Sequence, residues 1–390
     1  MQSGVYDNLT NAEYHGGEGI SKSGLDLIQR SAAHFAAARE AANDGAPKVS
    51  TVAQAIGTAF HALVLEPALF VQEYALPLRS QDVPDAIADR DALVEMVAGL
   101  NAGRLAKLPT SGSKTELVDR VLANQETHLA EELRSTADQL AELKAAELKE
   151  LVESFNAERH GLLSTTGSMQ ELAALLRANG KPVRLWPDAK DEWLRNNGHR
   201  QVLDAEAWDQ LHRMRDSVMA HPAARALIEA PGIAELSVYW VDPVTGEKCR
   251  CRPDFWRMDG VMVDVKTTDD ASPEGFAKSI AKWRYHVQQP FYLDGASLAL
   301  QQADAEAFGK IRHPDAADDF VFLAVEKNPP YLVGVYMLDA ASVQAGREEY
   351  RRNLDVFAEC NRTGVWPGYG NLVQPISLPA WYLRRTLEAA

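Results

Sequence analysis

From Val261 to Thr267 the chain is β-branched and alternates in the period-two manner of a strand. A second strand is expected over Ala234 to Val241. Asp318 to Val325 and Tyr331 to Leu338 read as an antiparallel pair separated by Asn328-Pro329-Pro330. Helical periodicity appears elsewhere. Residues 21 to 42 predict one helix capped by Ser21 or Ser23, and Val52 to Leu65 a helix burying Ile56, Phe60, Leu63 and Val64. Another helix starts near His286, and Asp339 caps a long one to Asn361. Trp366-Pro367-Gly368-Tyr369 opens an irregular tail with a short helix over Trp381 to Leu387.

Between about Ser80 and Lys190 the pattern turns helical and charge-rich. Leu105 to Val118 predicts a helix, a turn and a second helix capped by Ser113 or Thr115. Residues 126 to 160 predict one long charged helix with a partial heptad of Leu129, Leu133, Leu140, Leu143 and Leu151, and Ser168 to Pro182 a helix ending at Gly180. The expected architecture is an α/β core with a mixed sheet flanked by helices, interrupted by a mostly helical insertion. Its parts are 1–80, 81–189 and 190–390.

The strand from Val261 places Asp264 and Lys266 on one face and Val263 and Val265 on the other, because residues two apart share a face. An Asp and a Lys so spaced are ordinarily a solvated ion pair. They become a site if Asp254, in Arg252-Pro253-Asp254, reaches the same place. A two-residue loop of Asp259-Gly260 would set Phe255 opposite Asp264 and turn Asp254 away. A three-residue loop of Met258-Asp259-Gly260, with Gly260 left-handed, sets Asp254 opposite Asp264, and that loop is predicted. Carboxylates there, with the Val265 carbonyl, offer oxygens to a hard cation such as Mg²⁺. Downstream, Gln288 and Tyr292 are four apart and share a helical face, with Pro290 between them expected in the first turn. Upstream, Gly57 and Thr58 leave a small-residue notch below His61. Glu235, on the strand before the hairpin, is a second-rank acidic candidate.

Composition adds constraints. No apolar run nears the ~20 residues of a bilayer span, and Met1 to Tyr14 lacks a signal-peptide pattern, so a cytoplasmic protein with no membrane role is expected. Cys249 and Cys251 alternate with Arg250 and Arg252 and so face the core. With Cys360 they make three, short of the four that an iron-sulfur cluster takes, and no such cluster is expected. The net charge of −15 is unusual for a protein that binds phosphates, and residues 126–161 contribute −5 of it. Basic residues confined to a channel would reconcile the two, with Lys278, Lys282 and Arg284 as candidates.

These motifs together resemble a known superfamily. Asp254, Asp264 and Lys266 match the PD-(D/E)xK nuclease signature, and Gln288-Gln289-Pro290-Phe291-Tyr292 matches the QxxxY motif of its RecB-like branch. Gly57-Thr58-Ala59-Phe60-His61 resembles the helix of that branch which brings a histidine to the metal. More narrowly, Ile20-Ser21-Lys22-Ser23-Gly24-Leu25 and Trp283 to Gln288 resemble RecE-type exonucleases, the exonuclease VIII group of phages and prophages. The resemblance spans roughly residues 5 to 80 and 190 to 385. It implies His61, Asp254 and Asp264 as ligands of one or two Mg²⁺ ions, with Mn²⁺ able to substitute. Lys266 would lie beside the attacked phosphate, with Gln288 and Tyr292 positioning DNA or the lysine. It also implies digestion of linear double-stranded DNA from the 5′ end, a RecT-type single-strand annealing partner and a homo-oligomer, in some forms a ring. A structure-specific or restriction-type endonuclease and a non-catalytic DNA-binding scaffold are the alternatives. Within the insertion, residues 104–124 resemble SAP and related helix-extended-loop-helix modules, which makes Lys114 a candidate for DNA backbone contact.

Overall fold

The computed structural model describes residues 1–7, 9–44, 51–303 and 318–378. The chain divides into two compact units: Met1–Leu76 with the chain from Gln201 onward, and Pro77–Arg200.

The first unit is built on a five-stranded sheet in the order Val333–Tyr336, Asp319–Glu326, Val261–Thr268, Phe255–Arg257, Gly232–Ala234. Val261–Thr268 runs parallel to Asp319–Glu326 and antiparallel to Phe255–Arg257. Both faces of these strands are covered, which explains why their sequences are so apolar. On one face Val263, Val265, Leu323 and Val325 pack under the helix Val52–Leu65, with Phe60 and Leu63, and the helix Ala205–Ala220. On the other, Met262, Phe320, Phe322 and Ala324 meet Phe291 of the helix Tyr285–Gln302, and Tyr350 and Leu354 of the helix Ala340–Thr363. A smaller sheet orders Gly4–Tyr6, Ser237–Val241 and Lys248–Cys251, with Cys249 and Cys251 fully buried.

Several elements differ from expectation, each for an identifiable reason. The strand expected over Ala234 to Val241 is two, because Glu235 takes a left-handed φ of 54° and the chain passes from one sheet to the other there. The helix expected over 21 to 42 is also two, Lys22–Arg30 and Ala32–Asn43. Extended Ser31 separates them and caps the second by accepting from the His34 amide at 3.3 Å, while Ser21 caps the first. Pro290 lies inside its helix, not in the first turn. It cannot donate to the His286 carbonyl, and Gly346 packs against that carbonyl so closely that a Cβ would lie 1.8 Å from the oxygen. The Asp339 cap and the pairing of Asp319–Glu326 with Val333–Tyr336 follow the sequence pattern. The expected helix at Trp381 to Leu387 lies outside the described residues.

The second unit contains two small cores. Leu93, Val97, Leu172 and Leu176 form one; Leu117, Val121, Leu148, Val152 and Phe155 form the other. Leu105 to Pro109 is irregular, not helical. The following helix, Lys114–His128, is capped by Ser113 in a capping box with Glu116, and not by Thr115. Residues 126 to 160 are not one helix. After His128 come a 3₁₀ turn, Glu131–Leu133, and the helices Ala137–Glu142 and Ala145–Ala157. The reversal lets Leu140, Leu148 and Phe155 fold back onto Leu117, which an extended helix could not do. The Gln125 side chain fixes it by exchanging two hydrogen bonds of 3.0 Å with the Ser135 backbone. Among the described residues no helix is long and apolar enough to cross a membrane.

Candidate active site

The hairpin sets the geometry. Val263 pairs with Phe255 and Met262 with Trp256, so Met258, Asp259 and Gly260 form the loop; Gly260 has a φ of 91° and donates to the Arg257 carbonyl at 3.1 Å. The register continues to Asp254 opposite Asp264. Asp254, however, lies just beyond its strand, where the pair has split. Its carboxylate takes the place of the missing backbone partner and accepts from the Val265 amide at 2.7 Å. In a strand a residue's N–H and C=O point to the same edge, so the Val265 carbonyl faces Asp254 too.

Around Asp254 gather groups from distant parts of the chain. His61 comes from the Val52–Leu65 helix, with Nδ1 3.6 Å from Asp254 Oδ2. Glu235 is brought in by its left-handed turn, and its amide donates to the Asp254 carbonyl at 3.1 Å. Ligand atoms of His61, Glu235 and Asp254 all lie within 4.8 Å of one another. Glu235, the second-rank candidate, therefore belongs to the tightest cluster. Burial first, and then the adjacent Asp254 charge, push its carboxyl up to about 8, against the opposing Arg252 guanidinium. Arg252 is itself buried, bonded to Ser237 Oγ and the Leu9 carbonyl, and lies 4.3 Å from the Tyr14 ring centre.

Asp264 sits beside this cluster and is fully buried. Gln288 donates to its Oδ1 at 2.6 Å, and the Lys266 ammonium pairs with its Oδ2. Burial pushes the Asp264 carboxyl up to about 6, Lys266 opposes that rise and Asp254 adds to it. For Lys266 burial works against the charged form, but Asp264 and Asp254 outweigh it, so the ammonium is held above its ordinary value. Its Nζ lies 5.1 Å from the Tyr285 ring centre. Tyr292, one turn beyond Gln288, packs edge-on to Phe320 at 6.1 Å.

The donor set fits a divalent cation: one imidazole nitrogen and two carboxylates, converging where anionic oxygens already raise one another's proton affinity. The structure thus brings together His61, Asp254 and Glu235 beside Asp264, Lys266 and Gln288.

The remaining basic candidates are placed differently. Lys278 and Lys282 are exposed on the helix Pro273–Trp283. Arg284 is left-handed and committed to ion pairs with Asp26 at 2.6 Å and Glu349 at 3.0 Å, which tie two helices together. Lys114 is exposed at the start of its helix in the other unit. Sequence reasoning gave no role to Tyr285 or Lys22. Tyr285 is three residues before Gln288, so helical spacing carried that signal. Lys22 donates to the Trp283 carbonyl at 2.7 Å and lies near enough to Lys266 for the two charges to oppose each other, a proximity no local pattern encodes.

A mixed sheet between helices, with Asp254 and an Asp264-x-Lys266 strand meeting at a split hairpin, defines a nuclease core of the PD-(D/E)xK class. The chain belongs to the family described as PDDEXK-like domain of unknown function (DUF3799), which it matches over residues 21–378. Among solved structures it is similar to a protein from Eubacterium rectale provisionally assigned as an exonuclease. The identity is 12% and the TM-score 0.33, covering 59% of this chain and 83% of that one. It is also similar to SSO0001, with 11% identity and a TM-score of 0.19 over 67% of this chain and 84% of that one. Likenesses of this size carry no argument about activity. No curated protein matches the sequence.

Proposed function

We propose that this nuclease is a divalent-metal-dependent exodeoxyribonuclease of the RecE type, degrading linear double-stranded DNA from the 5′ end to leave 3′ single strands. The observation that carries the metal-dependent reading is the convergence of His61, Glu235 and Asp254 beside the buried Asp264–Lys266 pair. His61, Asp254 and Asp264, with Glu235 and the Val265 carbonyl, would hold one or two Mg²⁺ or Mn²⁺ ions. A metal so bound lowers the pKa of a water and offsets phosphate charge. Lys266, kept cationic by two aspartates, stabilises negative charge developing on the attacked phosphate. Gln288 fixes the Asp264 carboxylate, so that one oxygen is held by an amide while the other faces the lysine. Tyr292 supports the same helical face. Lys278, Lys282 and Lys114 are the proposed contacts to DNA backbone, with Arg284 shaping the turn between the helices that carry Lys278 and Gln288. A RecT-type annealing partner, a ring-shaped homo-oligomer, a role in recombination and a cytoplasmic location complete the proposal through the RecE resemblance.

The test is incubation of linear and covalently closed duplex with Mg²⁺, using the wild type, Asp264→Ala and Lys266→Ala. Degradation of linear DNA alone, lost in both variants, is expected. Cutting of closed circles would replace the exonuclease with an endonuclease, and binding without cleavage by the wild type would replace it with a scaffold. End-labelled substrate reads the polarity.

A further inference from the structure

Arg90 to Asn124 is repeated 55 residues later. Fourteen of these 35 positions carry the same residue in both copies. The matches are structural. The helices Arg90–Asn101 and Ala145–Ala157 bury Leu93 and Val97 in the first and Leu148 and Val152 in the second. The helices Lys114–His128 and Met169–Ala178 both follow a positive-φ glycine, Gly112 or Gly167, and a serine in a capping box, Ser113 with Glu116 or Ser168 with Glu171.

The two copies do not each close on themselves. Arg90–Asn101 packs on Met169–Ala178, from the other copy, and Lys114–His128 packs on Ala145–Ala157. Matched clamps lock this exchange. Asn101 donates to the Leu163 carbonyl at 2.9 Å and accepts from its amide at 2.8 Å; Asn156 makes the same pair, at the same distances, with Leu108. Arg104 donates to the Gly161 carbonyl and Asn179, and Arg159 to the Ala106 carbonyl and Asn124. Each clamp residue of the first copy lies 55 before its counterpart in the second, and the partners of the two clamps are offset by the same 55. A bidentate amide-to-backbone clamp satisfies two polar groups of an irregular loop at once, and this accounts for both asparagines being retained while surface positions drifted. Lys107 and Lys114 of the first copy are Leu162 and Met169 in the second.

We propose that the insertion is an internally duplicated helix–loop–helix folded as an exchanged pair, in which each copy completes the other. The Lys114 corner is then half of a two-copy unit and not a free-standing SAP-like module, and only the first corner is basic.

Hydrogen exchange on the full chain with Asn101→Ala tests this. The loss of two part-buried hydrogen bonds should speed exchange by about ten-fold or more in Arg90–Asn101 together with Met169–Ala178. Retained protection of Met169–Ala178, with loss in Lys114–His128 instead, would overturn the exchange. Asn156→Ala is the mirror case, and should loosen Ala145–Ala157 with Lys114–His128. As a check independent of stability, Val97→Cys with Ala173→Cys should cross-link within one chain and Val97→Cys with Val118→Cys should not. The reverse outcome refutes the proposal.

Discussion

The two units handle their polar groups in opposite ways. In the insertion, the side chains that enter the interior, such as Asn101, Arg104, Asn156 and Arg159, are spent on loop backbone. The carboxyls held below their ordinary range there are exposed partners in local caps, such as Glu116 and Glu171. Around the site in the other unit, carboxyls are crowded together and pushed up, as with half-buried Glu235 and fully buried Asp264. Backbone strain divides in the same way. Among the described residues every positive-φ position in the insertion is glycine, whereas Glu235, Arg284 and Tyr331 adopt it in the other unit. Strained backbone and unfavourable charge persist only where surrounding structure over-determines them, and such sites concentrate at functional centres. The contrast separates a region whose polar groups hold its shape from one in which ionisable groups are crowded against one another.

The sharpest way to break this contrast is at Asp264. Asp264→Ala should lower cleavage by about 10³-fold or more while the chain stays folded, measured as turnover of labelled duplex alongside thermal unfolding. Near-wild-type turnover would remove Asp264 from the site. The complementary change is Phe155→Ala, which opens a cavity in the insertion at a cost of about 3–5 kcal/mol to that unit. Exchange protection of Lys114–His128 should collapse, whereas that of Val261–Thr268 should not. Gln288→Leu removes the amide that orients Asp264 and is expected to reduce turnover by about 10–100-fold with little change in substrate affinity. An effect confined to affinity would make Gln288 a DNA contact instead.

The smallest effect is the most diagnostic of charge crowding. A carboxyl whose folded-state pKa is raised to about 8 destabilises the metal-free protein as pH climbs from its unfolded value towards 8, since the unfolded chain releases the proton more readily. Glu235→Gln should therefore stabilise the metal-free protein at pH 8 by about 1–2 kcal/mol, after discounting for partial exposure, and by almost nothing at pH 4. Divalent metal should stabilise the wild type at pH 8 and the variant less. A denaturation series at the two pH values, with and without Mg²⁺ or Mn²⁺, reads both.

Much of this molecule is legible locally. Period-two alternation gives the strand with Asp264 and Lys266 on one face, the caps at Asp339 and Ser113 follow from hydrogen-bonding chemistry, and the Met258–Gly260 loop follows from the demand that Asp254 reach its partner. These are short-range consequences of backbone geometry, which a sequence carries residue by residue. What it does not carry is which segments meet. Glu235 joins His61 and Asp254 because the chain changes sheets at that residue, and Gly346 of a distant helix packs beside the carbonyl that Pro290 leaves free. The leucines of residues 126 to 160 have helical spacing whether the chain runs straight or folds back, and only burial against Leu117 and Val121 decides between the two. The sequence by itself determined the strand, its acid-and-lysine face and the loop that aligns them. Tertiary packing decided which carboxylate joins His61 and Asp254, the pairing of the repeats and the burial that shifts each charge, because those depend on distances between residues that no local period relates.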